Sequence, residues 1–463
     1  MKRGAFLVRS PHHRALRALN YAPEIDALRS AGAGADAVPL GDLVADFGLG
    51  YATVFARLDA SPQHGVELLS QADMFAAEPA GRWIRRDSMS FPDRHEVRRW
   101  QILIAGAGTL GENELYGRSI IADARLAGRH VGQDTLTLGF APAGSDLNLF
   151  VYAFLTSPTG VKALRSCSYG TKILRIRKDL LAELPVPVPD PAVLRRVAAL
   201  VRTTVAQRER YATSLKAARA VLEKRPEVQA AHTMCARRRA RCISWTGDLP
   251  TMGAWNFAST GGALGLLSAT WKGRVADLVQ KDGLFNGPRF VRTSCEPPHG
   301  IEFFSQRDVF MMRPVPQRIA RPGIPSRLLF VRPDTILAGS HGQMSEGSLF
   351  GRVELAAFAA HKGGLTQDIL RIQPRPGAGQ VLYSFLSTPV GQRLFKSTAV
   401  GTSIPSVRID LLARLPVPDL ASEEADRITA AVNGALAARL AATEAEQEAI
   451  RIVEAEVIPR WLG

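Results

Sequence analysis

One stretch of this 463-residue chain occurs twice. "GTKILRIRKDLLAELPVP", from Gly170 to Pro187, returns as "GTSIPSVRIDLLARLPVP", from Gly401 to Pro418. At an offset of 231, Val151 to Pro187 lies over Leu382 to Pro418 with no gap, and 18 of 37 positions are identical. The match continues upstream with small shifts. "ILIAGAGTLGENELYGR" from Ile102 lies over "ILAGSHGQMSEGSLFGR" from Ile336, and "PQHGVELLSQADMF" from Pro62 over "PPHGIEFFSQRDVF" from Pro297. "DLVADFGL" at Asp42 matches "DLVQKDGL" at Asp277. The chain is a tandem duplication, with copies over about 40–225 and 275–457. Two copies in one chain predict the pseudo-twofold symmetry of a homodimer.

Each copy has two parts. The front holds short apolar runs separated by Gly, Pro, Asp and Ser, such as "RRWQILIAG", "DTLTLGF" and "DILRIQP". These read as strands. "LNLFVYAFLTSPTGVKALR" and "QVLYSFLSTPVGQRLFK" read as helix with a Pro-x-Gly interruption. The fold class is α+β, mixed and strand-rich. The rear is a long helix opening at Asp190 as N-cap with Pro191 at the first helical position. Leu194, Val197, Val201, Thr204, Arg208, Tyr211, Leu215, Ala218 and Leu222 follow the 3-4 spacing of a coiled-coil seam, weakened by Thr204 and Arg208. Its counterpart starts at Ser422. Residues 191–225 carry nine Lys/Arg and two Glu, whereas 421–463 carry four Arg and eight Asp/Glu. Opposite charge predicts that the two helices pair. The expected boundaries are an extension over 1–38, a first domain over 39–189 and a first long helix over 190–228. A linker over 229–272, a second domain over 273–420 and a second long helix over 421–463 follow.

Bulk properties narrow the class. Apolar content of 46% and charged content of 22% fit a globular protein. No apolar run approaches the roughly 18 residues of a membrane span, and the N-terminus lacks the apolar core of a signal peptide. A cytoplasmic protein is expected. Four cysteines do not make a disulfide framework. Cys235 and Cys242 flank "ARRRAR" with His232 nearby, but a second, tighter pair is missing, so a basic linker is the better reading. The formal charge of +15 points to nucleic acid as a partner, because Lys and Arg neutralise phosphates and release counterions.

This layout resembles the specificity subunit of type I restriction–modification systems. The order of elements carries the resemblance over nearly the whole chain, together with the Gly-Thr to Leu-Pro-x-Pro segment leading into each helix. The resemblance implies that each globular part is a target-recognition domain reading one half of a bipartite site in double-stranded DNA. It implies that the paired helices act as a ruler and dock two adenine-specific methyltransferase subunits, and that a motor-nuclease subunit joins for cleavage. It implies no cofactor and no catalysis by the chain itself, whether in restriction proper or in another methylation-based phage-defence system. A helix of 33 residues is about 50 Å long at ~1.5 Å per residue, which spans about 15 base pairs.

Other motifs weigh little. "GAGTLG" (Gly106 to Gly111) fits a cofactor loop, but no helix start follows it and the other copy reads "SHGQMS", so a turn between strands explains it. No Asn/Asp-Pro-Pro-Tyr segment of an adenine methyltransferase is present. His64 with Glu67, repeated as His299 with Glu302, lacks a third ligand and reads as scaffold.

The duplication also sorts residues. Where half-sites differ, base-reading residues differ between copies, whereas shared residues hold the fold, touch phosphates or bind a common partner. Unshared basic segments supply the candidate DNA contacts: Arg82, Arg85, Arg86, Arg94 and Arg129 in the first copy, and Arg313, Arg318, Arg321 and Lys362 in the second. The shared junction residues Gly170, Thr171, Arg177 and Asp179, with Gly401, Thr402, Arg408 and Asp410, are expected to be structural.

Overall fold

A computed structural model describes residues 18–31, 37–50, 55–111, 114–236, 256, 260–345, 347–358 and 360–462. Cys242 and the "ARRRAR" stretch lie outside the described residues. The chain divides into two units: Met1–Glu209 with Leu440–Gly463, and Arg210–Arg439. The division falls inside both long helices, so each helix serves both units. None of the described helices is long and apolar enough to cross a membrane.

In the first unit a four-stranded antiparallel sheet runs in the order Asp46–Leu49, Thr135–Gly139, Ile102–Ala105, Ser119–Ile121. Ile102–Ala105 is buried at every position. That accounts for its unbroken apolar run, because both faces are covered. A distal sheet sets Gly65–Leu69 between Arg82–Arg85, antiparallel, and His130–Val131, parallel. A third sheet holds the junction hairpin, Ser168–Tyr169 with Leu174–Ile176, against Ala107–Gly108. Helices Asp146–Thr156 and Pro158–Ser166 complete the core.

The second unit repeats this. Its sheet runs Val279–Asn286, Ile369–Pro374, Ile336–Gly339, Val353–Leu355. Its distal sheet is Gln317–Ile319, Ile301–Phe304, Gly364–Leu365. Local devices repeat too. Ser70–Asp73 and Ser305–Asp308 are both capping boxes. The Pro-x-Gly between paired helices is required in both copies: a Cβ on Gly160 would lie 1.9 Å from the Phe154 carbonyl oxygen, and one on Gly391 2.0 Å from that of Phe385. A residue without a Cβ there lets the second helix start close against the backbone of the first. The two units also differ in places. Arg371, opposite in alignment to Thr137, is fully buried and donates only to the carbonyls of Leu365, Thr366 and Ile369. Burial pushes its pKa down to about 10.

The N-terminal residues correct one expectation. No counterpart to residues 1–38 is evident by alignment, yet the structure supplies one for the described part, 18–31 and 37–38. Asn20 Nδ2 donates to the Ser168 carbonyl at 3.2 Å, and Asn256 Nδ2 donates to the equivalent Ala399 carbonyl at 2.8 Å. Helix Pro23–Ala31 is matched by Gly261–Thr270. Strand Ala37–Pro39 pairs with Pro185–Pro187, and Arg274 bridges Pro416 in the same way. Part of the expected 229–272 linker therefore opens the second copy, and a separate helix, Pro226–Ala236, follows the first long helix after a break at Lys224 and Arg225. The sequence trace is only "LNYA" at Leu19 against "WNFA" at Trp255, too short to stand out.

The long helices are Pro191–Glu223 and Ser422–Ile452, the second followed by a π turn at Val453–Val457. The expected seam is buried from Val197 to Leu222, with Leu194 partly so. In the first unit Arg196 pairs with Glu456 and Arg208 with Glu446, which makes the packing antiparallel. In the second, Arg225 pairs with Glu424 and Tyr211 lies beside Arg439, again antiparallel. The apparent weak point of the seam, Arg208, is its polar centre. It is 3% exposed and donates through Nη2 to both oxygens of Glu446 at 2.8 Å, and the Tyr152 hydroxyl donates to the same carboxylate. Burial, the largest single influence, lowers the Arg208 pKa, but Glu446, Tyr152 and Asp123 together outweigh it and the net shift is upward.

Arg439, at the same offset of 231, holds the same place in the second unit. Its carboxylate is Glu354 at 2.9 Å, from the central sheet, and Tyr211 and Tyr383 hydroxyls bond that acid. Arg439 also donates to the Met311 carbonyl and stacks on Phe358 at 4.6 Å.

Two predictions follow from these buried polar groups. Removing one partner of a buried ion pair costs about 3–5 kcal/mol, whereas replacing both by apolar groups of similar size is close to neutral. Glu446→Ala should lower the urea midpoint of the full chain strongly, and Arg208→Met with Glu446→Leu should restore most of it.

The distal sheet of the first unit buries two histidines. His95 Nδ1 bonds the Val131 carbonyl at 2.8 Å, while His95 Nε2 and both nitrogens of His130 have no partner among the described residues. Burial lowers the His130 pKa; Glu96 and Asp93 oppose this, and Arg86 and His95 add to it. With the folded value below 6.5, the unfolded chain takes up the proton first. Stability should be full above pH 6.5 and fall as the pH drops below it. His130→Leu should flatten the dependence of the urea midpoint between pH 7.5 and 5.5.

Candidate nucleic-acid interface

The basic residues singled out from unshared sequence gather on equivalent elements. In the first unit Arg82 and Arg85 lie on the distal strand Arg82–Arg85, and Arg86 and Arg94 in the loop after it. In the second unit Arg318 lies on the corresponding strand Gln317–Ile319, with Arg313 before it and Arg321 after it. Lys362 ends a 3-10 turn beside the parallel distal strand Gly364–Leu365 and is exposed. Both sets therefore border the distal sheets.

Their electrostatics differ residue by residue. Arg82 pairs with Asp59 at 2.6 Å, Arg85 with Asp87 at 2.5 Å and Arg86 with Asp93 at 2.5 Å, all on the surface. These exposed pairs contribute little to stability, but they fix where each guanidinium sits. The hydrogen bonds hold Arg82 and Arg85 above the ordinary arginine pKa. Arg85 and Arg86 line an open depression of about 550 Å³ together with Asp59, Ser61, His64 and Asp87, and Arg82 reaches it only through its pair with Asp59. Arg129 is half-buried, donating to the Pro79 carbonyl at 2.6 Å and pairing with Glu67 at 3.3 Å. It braces the scaffold behind this surface. Arg318 donates to the His299 carbonyl, and Arg321 to Ser326 while lying over Phe330.

One exposed side chain on this surface escaped the sequence reading. Phe91 is 58% exposed, with φ +56° and the Arg94 guanidinium 4.7 Å over its ring. An aromatic followed by Pro inside a basic segment was the available signal.

The shared motifs are scaffold. Glu67 accepts from the Gly81 backbone N–H at 2.7 Å as well as pairing with Arg129. Among the described residues no group of three or more His, Cys, Asp or Glu is placed to hold a metal. The "GAGTLG" run is strand rather than phosphate loop: Ala107–Gly108 pairs with Leu174–Arg175, and the Gln71 side chain bonds both Ala107 backbone groups. Gln306 makes the matching contact to the His341 carbonyl.

At the junction, Gly170 and Gly401 have φ of +95° and +101°, a region glycine enters without strain. Thr171 and Thr402 are exposed beside them. Arg177 and Asp179 form a bidentate pair, and Arg408 and Asp410 form its repeat at 2.8 and 2.6 Å. Each arginine lowers the pKa of its aspartate through the hydrogen bond. Each pair closes the start of the short helix, Lys178–Ala182 or Ile409–Ala413, that leads to the Leu-Pro-x-Pro segment.

No protein-family model and no curated protein matches the chain. Solved structures do, three of which follow. The type I restriction–modification S subunit of M. genitalium is 14% identical, with 92% of this chain and 94% of that one covered at a TM-score of 0.29. The HsdS subunit of Thermoanaerobacter tengcongensis is 14% identical over 92% and 96%, at 0.27. A chain from a structure of complex assembly and conformational transition in the type I R-M system is 15% identical over 92% and 97%, at 0.27. Over 92% of its length, the chain is thus similar to solved structures of type I restriction–modification S subunits.

Proposed function

We propose that the chain is the DNA specificity subunit of a type I-like restriction–modification or methylation-based defence complex, and that it performs no chemistry itself. Each globular domain reads one half of a bipartite site. The long helices set the distance between half-sites and dock two adenine methyltransferase subunits. One observation carries this reading: a duplicated strand-rich domain, each copy ending in a long helix, with the basic residues that differ between copies collected beside equivalent distal sheets. A duplicated chain keeps the twofold logic of symmetric DNA readers while allowing the two halves to read different sequences. The excess of 58 Lys and Arg over 43 Asp and Glu supports a polyanionic partner.

A coiled-coil scaffold without base reading accounts for the helices. It gives no reason for the unshared arginines beside the distal sheets. An autonomous methyltransferase would need a cofactor loop at "GAGTLG", where the backbone is engaged in a strand pair.

Methylome sequencing with and without this gene should show one bipartite adenine-methylated motif vanishing on deletion; an unchanged methylome would sink the proposal. Inserting seven residues opposite each other in both long helices should widen the gap in that motif by about three base pairs, since two turns add about 10 Å. Arg408→Ala should reduce methylation at the same motif without changing its sequence, and a clean switch of sequence would contradict the junction's structural role.

A further inference from the structure

We propose that Phe91 is a base-stacking wedge of the first domain, inserted against an unstacked nucleobase of duplex DNA with Arg94 beside it. This rests on the DNA-reading proposal and adds a contact that charge alone would not identify.

Three observations converge on Phe91. It is 58% exposed, where a phenylalanine gains nothing for the core. Its backbone is left-handed, φ +56° and ψ +58°, a region that is an outlier for a bulky residue, and Pro92 follows it. Such strain persists only where the surroundings impose it, and it concentrates at functional sites. The loop is also held firmly. Met89 is buried in a small core with Leu68 and Ile84, and His95 is buried on the other side. The Arg85–Asp87 and Arg86–Asp93 pairs tie the loop on both flanks. The Phe91 carbonyl accepts from Arg94 N–H at 3.0 Å. The ring is therefore displayed by a built loop.

The surroundings name the ligand class. Residues 82–99 hold six arginines against three acids. Five of those arginines pair with acids, Arg82, Arg85, Arg86 and Arg98 with aspartates and Arg99 with Glu209, while Arg94 places its cation over the Phe91 ring. An aromatic face with an adjoining guanidinium is suited to a nucleobase and its phosphate. Apolar side chains wedge between base steps, and stacking on an aromatic tolerates any base. A protein partner would instead meet a lone aromatic among charges, with no apolar patch around it.

The test uses the full chain assembled with its methyltransferase and a duplex carrying the bipartite motif, with 2-aminopurine placed in turn across both half-sites. Binding of the unaltered complex should raise the fluorescence at one position. Phe91→Gly should abolish that rise and weaken binding about 10- to 100-fold. The slope of log affinity against log salt should stay unchanged, because no phosphate contact is lost. Phe91→Gly should leave the melting temperature equal or raise it, since glycine relieves the left-handed strain. Phe91→Trp should keep both the fluorescence rise and the affinity within about threefold. If Phe91→Gly binds as tightly as the parent with the fluorescence rise intact, the wedge is wrong and DNA reading stands. A parent complex with no preference for the motif duplex removes both.

Discussion

Two arginines 231 positions apart, Arg208 and Arg439, are the points on which each half of the structure closes. Each projects from a long helix into a place with almost no solvent, next to the equivalent tyrosines Tyr152 and Tyr383. A buried guanidinium is costly unless its N–H groups find acceptors, and at Arg208 and Arg439 the main acceptor is a close carboxylate. Helix, opposing helix and domain therefore have to arrive together. Apolar seam residues would accept many small shifts along the helix; an arginine that must meet one acid accepts few.

The two halves meet that demand differently. In the first, the acid is Glu446 of the other long helix, and the domain contributes a hydroxyl, Tyr152. In the second, the acid is Glu354 of the central sheet, and the opposing helix contributes a hydroxyl, Tyr211. The Ala76 and Met311 carbonyls are equivalent positions. Arg125, paired with the buried Asp123, takes the first, and Arg439 takes the second. Repetition preserved where charge must be balanced and let the balancing group move.

Much of this was legible in the sequence. The duplication, the strand-rich front and the seam from Val197 to Leu222 follow from alignment and periodicity, which report the spacing of apolar side chains directly. Arg208 was visible but looked like a defect, because its partner lies 238 residues away and periodicity carries no information across such a gap. The N-terminal segment was illegible for a related reason: what it repeats is one amide contacting one carbonyl, Asn20 to Ser168 and Asn256 to Ala399. The basic segments were found by their charge, but charge could not tell Arg129, which braces Glu67, from Arg94, which lies over Phe91. That distinction depends on which backbone carbonyls and rings fold up beside each guanidinium.

The unequal origin of the two acids bears on how such a protein diversifies. A first domain imported from elsewhere has only to offer a hydroxyl to a charge pair the helices already complete. An imported second domain has to bring a carboxylate on its own sheet, or leave a buried cation uncompensated. Replacing a domain is thus asymmetric: the first is the freer to change, and the second must carry an acid that its long helix requires.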